Sequence, residues 1–162
     1  MSTDSAAGLA PKQLETLLPG TWRLRATNFP MWLTGGRTLP TFGYRLVSSE
    51  PLVLADDVRW FASDGAEKHI RGVDRWKGDD FVWRGSGLLT VLRSRWAVLG
   101  SSEDGNVLVT RFSKTIATPS GLDVISRDGI KVEDPRALVA RSVERFGLTA
   151  EQFASLAWPA PS

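Results

Sequence analysis

Residues 20–27 have the sequence Gly-Thr-Trp-Arg-Leu-Arg-Ala-Thr, in which hydrophobic and polar side chains alternate. Trp22, Leu24 and Ala26 fall on one side of this pattern, and the arginines fall on the other. A period of two is typical of a β-strand that buries one face. The segment before it differs, because leucines recur at helical spacing behind Pro11, which predicts a short helix over 11–18.

Downstream, the two-residue alternation returns repeatedly, with turn residues such as Ser63-Asp64-Gly65 between the hydrophobic runs. Short strands at regular spacing are typical of antiparallel barrels and sandwiches. We therefore predict a mainly β fold, an eight-stranded antiparallel up-and-down barrel with a short N-terminal helix and C-terminal helices. The seven further strands are predicted at 42–47, 52–61, 67–76, 81–84, 94–99, 107–115 and 122–127.

The C-terminal part changes character. Asp134-Pro135 is suited to open a helix as cap and first-turn proline, and this helix is expected to run to Gly147. Thr149, followed by Glu151-Gln152, is a capping-box arrangement for a second short helix. We predict C-terminal helices within 134–157, a disordered segment at 1–10, and a single barrel domain over 11–162.

This order of elements, with Gly20-Thr21-Trp22 at the start of the first strand, resembles the calycins, which include lipocalins and fatty-acid-binding proteins. In lipocalins the Gly-x-Trp motif seals the closed end of the barrel, and an arginine of the last strand covers the tryptophan. The resemblance implies that Gly20, Trp22 and Arg127 close this barrel, with Arg111 as a weaker match for the arginine. It also implies that 29–40 is the long loop over the barrel mouth.

Seven tryptophans occur in 162 residues, and five of them fall inside predicted strands. Indole rings that point inward would form the wall of a cavity for a flat or apolar ligand, or they would simply fill a solid core. Strand alternation predicts an interior with aromatic walls and a few polar groups, deepest at Leu24, Leu46 and Val98. The predicted ligand-binding residues are Asn28, Trp32, Tyr44, Trp60, Trp83, Trp96 and Thr110.

The segment 29–40 carries Met31, Trp32 and Leu33, although loops normally face water. Two interpretations are open. The segment folds over the barrel mouth as a lid to which Trp32 belongs, or it is anchored to the core.

Tyr44 and Asp74 are the candidate catalytic residues. Tyr44 is the single tyrosine, and a phenol in an apolar barrel either holds a ligand oxygen or donates a proton. Asp74 lies on the inward register of its strand, where a carboxylate must be paired or protonated. We expect a structural ion pair with Arg75, Arg84 or Arg111 rather than a catalytic acid.

Two further features bear on chemistry. Asp56 and Asp57 lie in the middle of a long strand and are expected at a turn or bulge rather than as an acid pair. His69 is the single histidine and is expected on the outer surface, with haem ligation or general-base catalysis as alternatives. The chain has no cysteine, which excludes disulfides and thiolate metal sites. We predict no metal and no cofactor.

The sequence therefore predicts a protein that binds a small apolar or aromatic molecule, whose polar or acidic end meets Tyr44, Asn28 or an arginine. The alternatives are a cofactor-independent isomerase, cyclase or decarboxylase that uses Tyr44 and Asp74, a haem-binding barrel, or a filled barrel that acts through protein contacts. The net charge of +2 is too small to indicate nucleic-acid binding. No membrane span is expected, and without a secretory signal in the first ten residues the default expectation is a cytoplasmic protein.

Overall fold

A computed structural model of the chain describes residues 8–34, 36–87, 93–114 and 120–159, with the backbone alone at Leu39. Eight antiparallel strands form a closed barrel in which each strand pairs with its neighbour in sequence, and the last strand pairs with the first. The predicted fold class is confirmed. In chain order the elements are α1 (Pro11–Leu17), β1 (Gly20–Thr27), α2 (Pro30–Leu33), β2 (Arg37–Ser49), β3 (Leu52–Ala62), β4 (Glu67–Lys77), β5 (Asp80–Gly85), β6 (Arg93–Ser101), β7 (Val107–Phe112), β8 (Gly121–Arg127), α3 (Pro135–Ala140) and α4 (Ala150–Ala154).

One end of the barrel is closed by α1 and by the first strand. Trp22 is fully buried and donates its indole N–H to the carbonyl oxygen of Leu18. The guanidinium of Arg127 lies 4.3 Å from the centre of the Trp22 ring and donates to the carbonyl oxygens of Leu17 and Pro19. Gly20 has a φ of 129°, and a Cβ there would lie 2.8 Å from the Arg127 Nη1 atom. A glycine is therefore required where the arginine crosses the chain.

Two hydrophobic clusters lie on opposite sides of the barrel wall. The inner cluster fills the closed half of the barrel, and the outer cluster lies between the β7–β8 face and the C-terminal segments. The predicted helix to Gly147 is wrong, because α3 ends at Ala140 and residues 141–147 form turns. Val139 and Phe146 are nevertheless fully buried, since the turns keep both side chains against the barrel.

A β-bulge in β1 reverses the inward face of that strand. The register to β8 shifts between Leu24 and Ala26. Leu24 consequently packs against the inner cluster, whereas Ala26 packs in the outer cluster, although they lie two residues apart. The bulge overturns the prediction that Asn28 faces the interior, because Thr27 takes the inward position instead.

The N-terminal segment is described from Gly8 onward, so the expected disorder of 1–10 lies for the most part outside the described residues. Leu9 packs against the inner cluster, and this end of the segment is therefore attached to the barrel. Among the helices that the structure describes, none has the length and hydrophobicity needed to cross a membrane.

Candidate functional site

A cavity of about 300 Å³ occupies the open half of the barrel. Side chains from α2 and from most of the strands line it, and most of these side chains are apolar. Below it, Leu54, Leu108 and Ile125 are packed in the inner cluster and leave the closed half filled. The cavity is lined by Phe29, Met31, Trp32, Arg37, Phe42, Tyr44, Asp56, Val58, Trp60, Ile70, Trp83, Arg93, Ser94, Trp96, Phe112, Ser113 and Asp123.

An aromatic layer forms the base of the cavity. Trp96 is buried and stacks on Tyr44 with ring centres 5.4 Å apart, and on Phe81 with ring centres 4.7 Å apart. Phe112 stacks on Trp96 from the β7 side, at 6.0 Å. Strand alternation brings these rings together, because each occupies an inward position on its strand. The layer separates the filled half of the barrel from the empty half.

The segment after β1 is both anchored and placed over the mouth, so the two interpretations of 29–40 hold for different residues. Phe29 is buried against Phe112, with ring centres 5.4 Å apart. Gly121 allows this contact, since a Cβ there would lie 2.5 Å from the Phe29 ring. The short helix α2 then places Trp32 edge-on to Phe42 and Trp60, at 6.1 and 6.3 Å.

Two carboxyl groups meet in the middle of the barrel. Asp74 is fully buried and accepts a 2.8 Å hydrogen bond from the indole of Trp96. Asp56 accepts a 3.0 Å hydrogen bond from the indole of Trp83. That indole crosses the bare α-carbon of Gly72, where a Cβ would lie 2.2 Å from its Nε1 atom. Glycine at this position is therefore what lets the indole reach the acid.

The expected pairing of Asp74 with an arginine is wrong. Arg75, Arg84 and Arg111 are exposed on the outer face, because each lies on the outward register of its strand. Asp56 is also not a bulge residue, since β3 and β4 pair continuously from Val53–Arg75 to Phe61–Glu67 and place its carboxyl inside.

Burial disfavours the ionised form of both acids. Burial raises the pKa of Asp74 well above its ordinary value, and its hydrogen bond to Asp56 raises it further. Burial also raises the pKa of Asp56, while its hydrogen bonds from Asp74 and Trp83 lower it. Of the Asp74 oxygens, Oδ1 accepts from Trp96, whereas the buried Oδ2 accepts no hydrogen bond from the described residues. The directions of the two pKa shifts favour one proton held between the acids.

Asp123 is a third interior carboxyl and lines the cavity directly. It is buried on β8 and accepts a 2.7 Å hydrogen bond from the Thr27 hydroxyl, which itself accepts from the backbone N–H of Phe29. Burial raises the pKa of Asp123 to about 7, although hydrogen bonds from Thr27 and Trp32 oppose the shift.

Tyr44 lines the cavity between these acids. Burial raises the pKa of its phenol well above 10, and the negative potential of Asp74, Asp56 and Asp123 raises it further. The phenol is therefore a hydrogen-bond donor near neutral pH and not a base. Asp74 is not among the residues that line the cavity, and it lies under the aromatic layer. A substrate in the cavity would therefore contact Tyr44 but not Asp74, so the two candidate catalytic residues do not act on one substrate position.

The remaining predicted residues fall into two groups. Trp32, Trp60, Trp83 and Trp96 line the cavity together with Tyr44. The others do not line it. Asn28 accepts from the backbone N–H of Leu122 and donates to Ser155, so it fastens the C-terminal segment. Thr110 is buried beside Asp123 on β7, and Leu46 is 37% exposed near the closed end. His69 is on the outer face, 3.5 Å from Asp57.

Several solved structures resemble this fold over most of its length. Lobster apocrustacyanin A1 matches with a TM-score of 0.62 and 9% identity, over 98% of this chain and 89% of that one. The siderocalin Ex-FABP matches with a TM-score of 0.59 and 14% identity, over 90% and 95%. The amine binding protein of Rhodnius prolixus, in its tryptamine complex, matches with a TM-score of 0.60 and 12% identity, over 93% and 82%.

The chain has a lipocalin-like calycin fold. At these identities the likeness establishes the fold and nothing finer. No protein-family model matches the sequence, and no curated protein matches it either. Within the lipocalin-like barrel, the cavity-lining acids that the sequence analysis did not identify are Asp56 and Asp123. For Asp123 the signal was present, because an aspartate alternates with Ile125 inside the apolar run Leu122 to Ile125.

Proposed function

We propose that this protein binds one small, mainly apolar or aromatic molecule in the open half of its barrel. The observation that carries the proposal is the cavity of about 300 Å³ walled by Trp32, Trp60, Trp83 and Trp96 above a filled core. Ligand sites in proteins are concave and apolar with a few polar groups, and volumes start at roughly 300 Å³. The cavity therefore suits a molecule with one ring or a short chain.

The proteins of similar fold also support a ligand-binding function. Ex-FABP is described as a siderocalin with dual ligand specificities, and the Rhodnius prolixus protein holds tryptamine. A barrel of eight strands is just wide enough to hold one small ligand. The catalytic alternative has less support, because Asp74 does not line the cavity and Tyr44 keeps its proton at neutral pH. The haem alternative has no support from His69, which is outside the barrel.

Two measurements test the proposal. Native mass spectrometry of protein purified from its own host should show a retained molecule in addition to the chain mass. Val58 lines the cavity, so Val58→Phe should fill part of it and weaken binding at least tenfold. Val82→Phe is the matched control, since Val82 lies on the outward register of β5. Equal loss in both variants, or no change in either, would contradict binding in the barrel.

A further inference from the structure

The interior acids have no cationic partner in the protein. Every lysine and arginine of the chain lies in the described residues, because the undescribed stretches contain neither. Among the ion pairs that the described residues form, none includes Asp56, Asp74 or Asp123. Buried carboxylates are normally paired with a cation or fully hydrogen-bonded. The barrel thus encloses three carboxyl groups without a cationic partner from the protein.

The acid pair and Asp123 differ in how many of their hydrogen-bond acceptor positions are already used. Asp56 and Asp74 are coupled to each other and accept from two indole N–H groups, and Asp56 also lines the cavity. Asp123 accepts a hydrogen bond from the Thr27 hydroxyl, whereas a carboxylate has about four acceptor positions. Asp123 also lines the cavity, so its remaining acceptor capacity is open to a ligand.

The walls next to Asp123 suit a cation as well. Trp32, Trp60 and Trp96 surround the cavity, and the face of an indole ring attracts cations within about 6 Å. The protein itself uses this attraction at the mouth, where the Arg37 guanidinium lies 4.8 Å from the Trp60 ring centre. Arg37 and Arg93 are exposed at the mouth and remain solvated there.

We infer that the ligand is a protonated amine with an apolar or aromatic body, whose ammonium group donates to Asp123 while its body lies between the cavity tryptophans. This inference rests on the proposed binding function and specifies the ligand class for it. It also differs from the sequence-based expectation of a polar or acidic ligand end, because an ionised interior carboxyl would repel an anion. A neutral alcohol of the same shape fits the walls equally well but does not neutralise the carboxylate.

The inference predicts a pH dependence that a purely steric pocket lacks. Thr27 donates a hydrogen bond to Asp123, and Trp32 lies beside it in the cavity. The other charged or titratable groups are Tyr44, Asp56 and Asp74 in the same interior and Arg37 and Arg93 at the mouth. An alkylamine stays protonated up to about pH 9. Ammonium binding requires ionised Asp123, so the affinity for an amine should rise between pH 6 and pH 8.

The test uses three probes of matched shape and different charge: phenethylamine, 2-phenylethanol and phenylacetate. Calorimetric titration of the full chain at pH 8 should give phenethylamine at least tenfold tighter binding than 2-phenylethanol, with phenylacetate weakest. The affinity of phenethylamine should fall at least fivefold from pH 8 to pH 6, and that of 2-phenylethanol should stay within twofold.

Two variants test whether the carboxylate of Asp123 is the group that binds the amine. Asp123→Asn keeps the shape of the side chain and should weaken phenethylamine at least tenfold, remove its pH dependence and leave 2-phenylethanol within twofold. Asp128→Asn is the matched control, because it removes the same charge from an exposed site just after β8. If Asp123→Asn does not fold, the charge series and pH dependence of the unaltered protein still decide the inference.

The outcomes separate the two proposals. If 2-phenylethanol or phenylacetate binds as tightly as phenethylamine, or if Asp123→Asn keeps the amine preference, the amine inference is wrong and the binding function stands. If none of the three probes binds and the host protein carries no retained molecule, both proposals are wrong.

Discussion

The indole N–H of Trp96 donates to the fully buried carboxyl of Asp74 across 2.8 Å. This bond joins the aromatic base of the cavity to Asp74, which does not line the cavity, since the same indole stacks on Tyr44. Asp74 in turn is coupled to Asp56, and burial raises the pKa of both carboxyls. The base of the cavity is therefore held by a polar network as well as by packing, and such networks are costly to leave half-satisfied.

If one proton is held between Asp74 and Asp56, two substitutions of Asp74 should differ in their effect on stability. Asp74→Asn should keep the free energy of unfolding at pH 7 within about 1 kcal/mol, because the amide N–H replaces the carboxyl proton and the amide oxygen still accepts from Trp96. Asp74→Ala should cost about 3 kcal/mol or more, because it leaves Asp56 and the indole without partners in the interior. Urea unfolding measures both. Equal costs would show that no proton is shared.

Gly72 offers a test of the route from Trp83 to Asp56. Gly72→Ala should lower the free energy of unfolding by about 2 kcal/mol or more, since the added methyl meets the indole and the carbonyl oxygen of Arg84, which is held by the sheet. The matched control is Gly43→Ala, where the nearest atom would be 3.6 Å away. It should change the free energy of unfolding by less than about 1 kcal/mol. Chemical denaturation compares them, and an equal effect would contradict the tight crossing.

The sequence predicted the barrel and the tryptophans of the cavity wall because strand alternation is a local property. Trp60, Trp83 and Trp96 each follow the period of their own strand, so the pattern indicated their direction correctly. The prediction for Asn28 was wrong because a bulge adds a residue to β1, and the side chains after the bulge therefore point to the opposite face. No spacing in the sequence marks that bulge.

The acid network was harder to predict, because its members come from β3, β4, β5 and β6. An inward aspartate can be recognised from the period of its own strand, but its partners cannot. Asp74 was expected to pair with an arginine, since arginines precede and follow it in the sequence. Those arginines face outward by the same alternation that places Asp74 inside. The indole donors were identified as ligand-binding residues rather than as partners of the acids.

The raised pKa of Asp123 makes stability depend on pH. In the unfolded chain the carboxyl has a pKa of about 3.9, and in the folded protein burial raises the pKa of Asp123 to about 7. Between these values the folded state binds more protons, so the free energy of unfolding falls as pH rises from about 4 to about 7 and levels off above. The fall attributable to this group is on the order of 4 kcal/mol.

Asp123→Asn should remove that contribution, because an amide does not titrate. The difference in free energy of unfolding between the variant and the unaltered protein should therefore shift in favour of the variant as pH rises from about 4 to about 7. Denaturant unfolding at a series of pH values measures it. A difference that stays constant across the range would show that Asp123 titrates normally in the folded state.

Closure of the barrel depends on Arg127 at the end of β8. Arg127→Met should keep some contact with Trp22 but lose the hydrogen bonds to two carbonyl oxygens of the chain after α1. We expect a loss of about 2 kcal/mol in the free energy of unfolding. Arg111→Met is the control, because Arg111 is exposed on β7 and should tolerate the change within about 0.5 kcal/mol. Similar losses would contradict a closing role for Arg127.

A crystal structure of the protein with phenethylamine at pH 8 tests the central claim most directly. The account predicts electron density for the amine inside the barrel, with its nitrogen at about 2.7–3.2 Å from an Asp123 oxygen and its ring against Trp60 or Trp96. An amine found on the outer surface, or a barrel whose open half is filled by side chains, would contradict it.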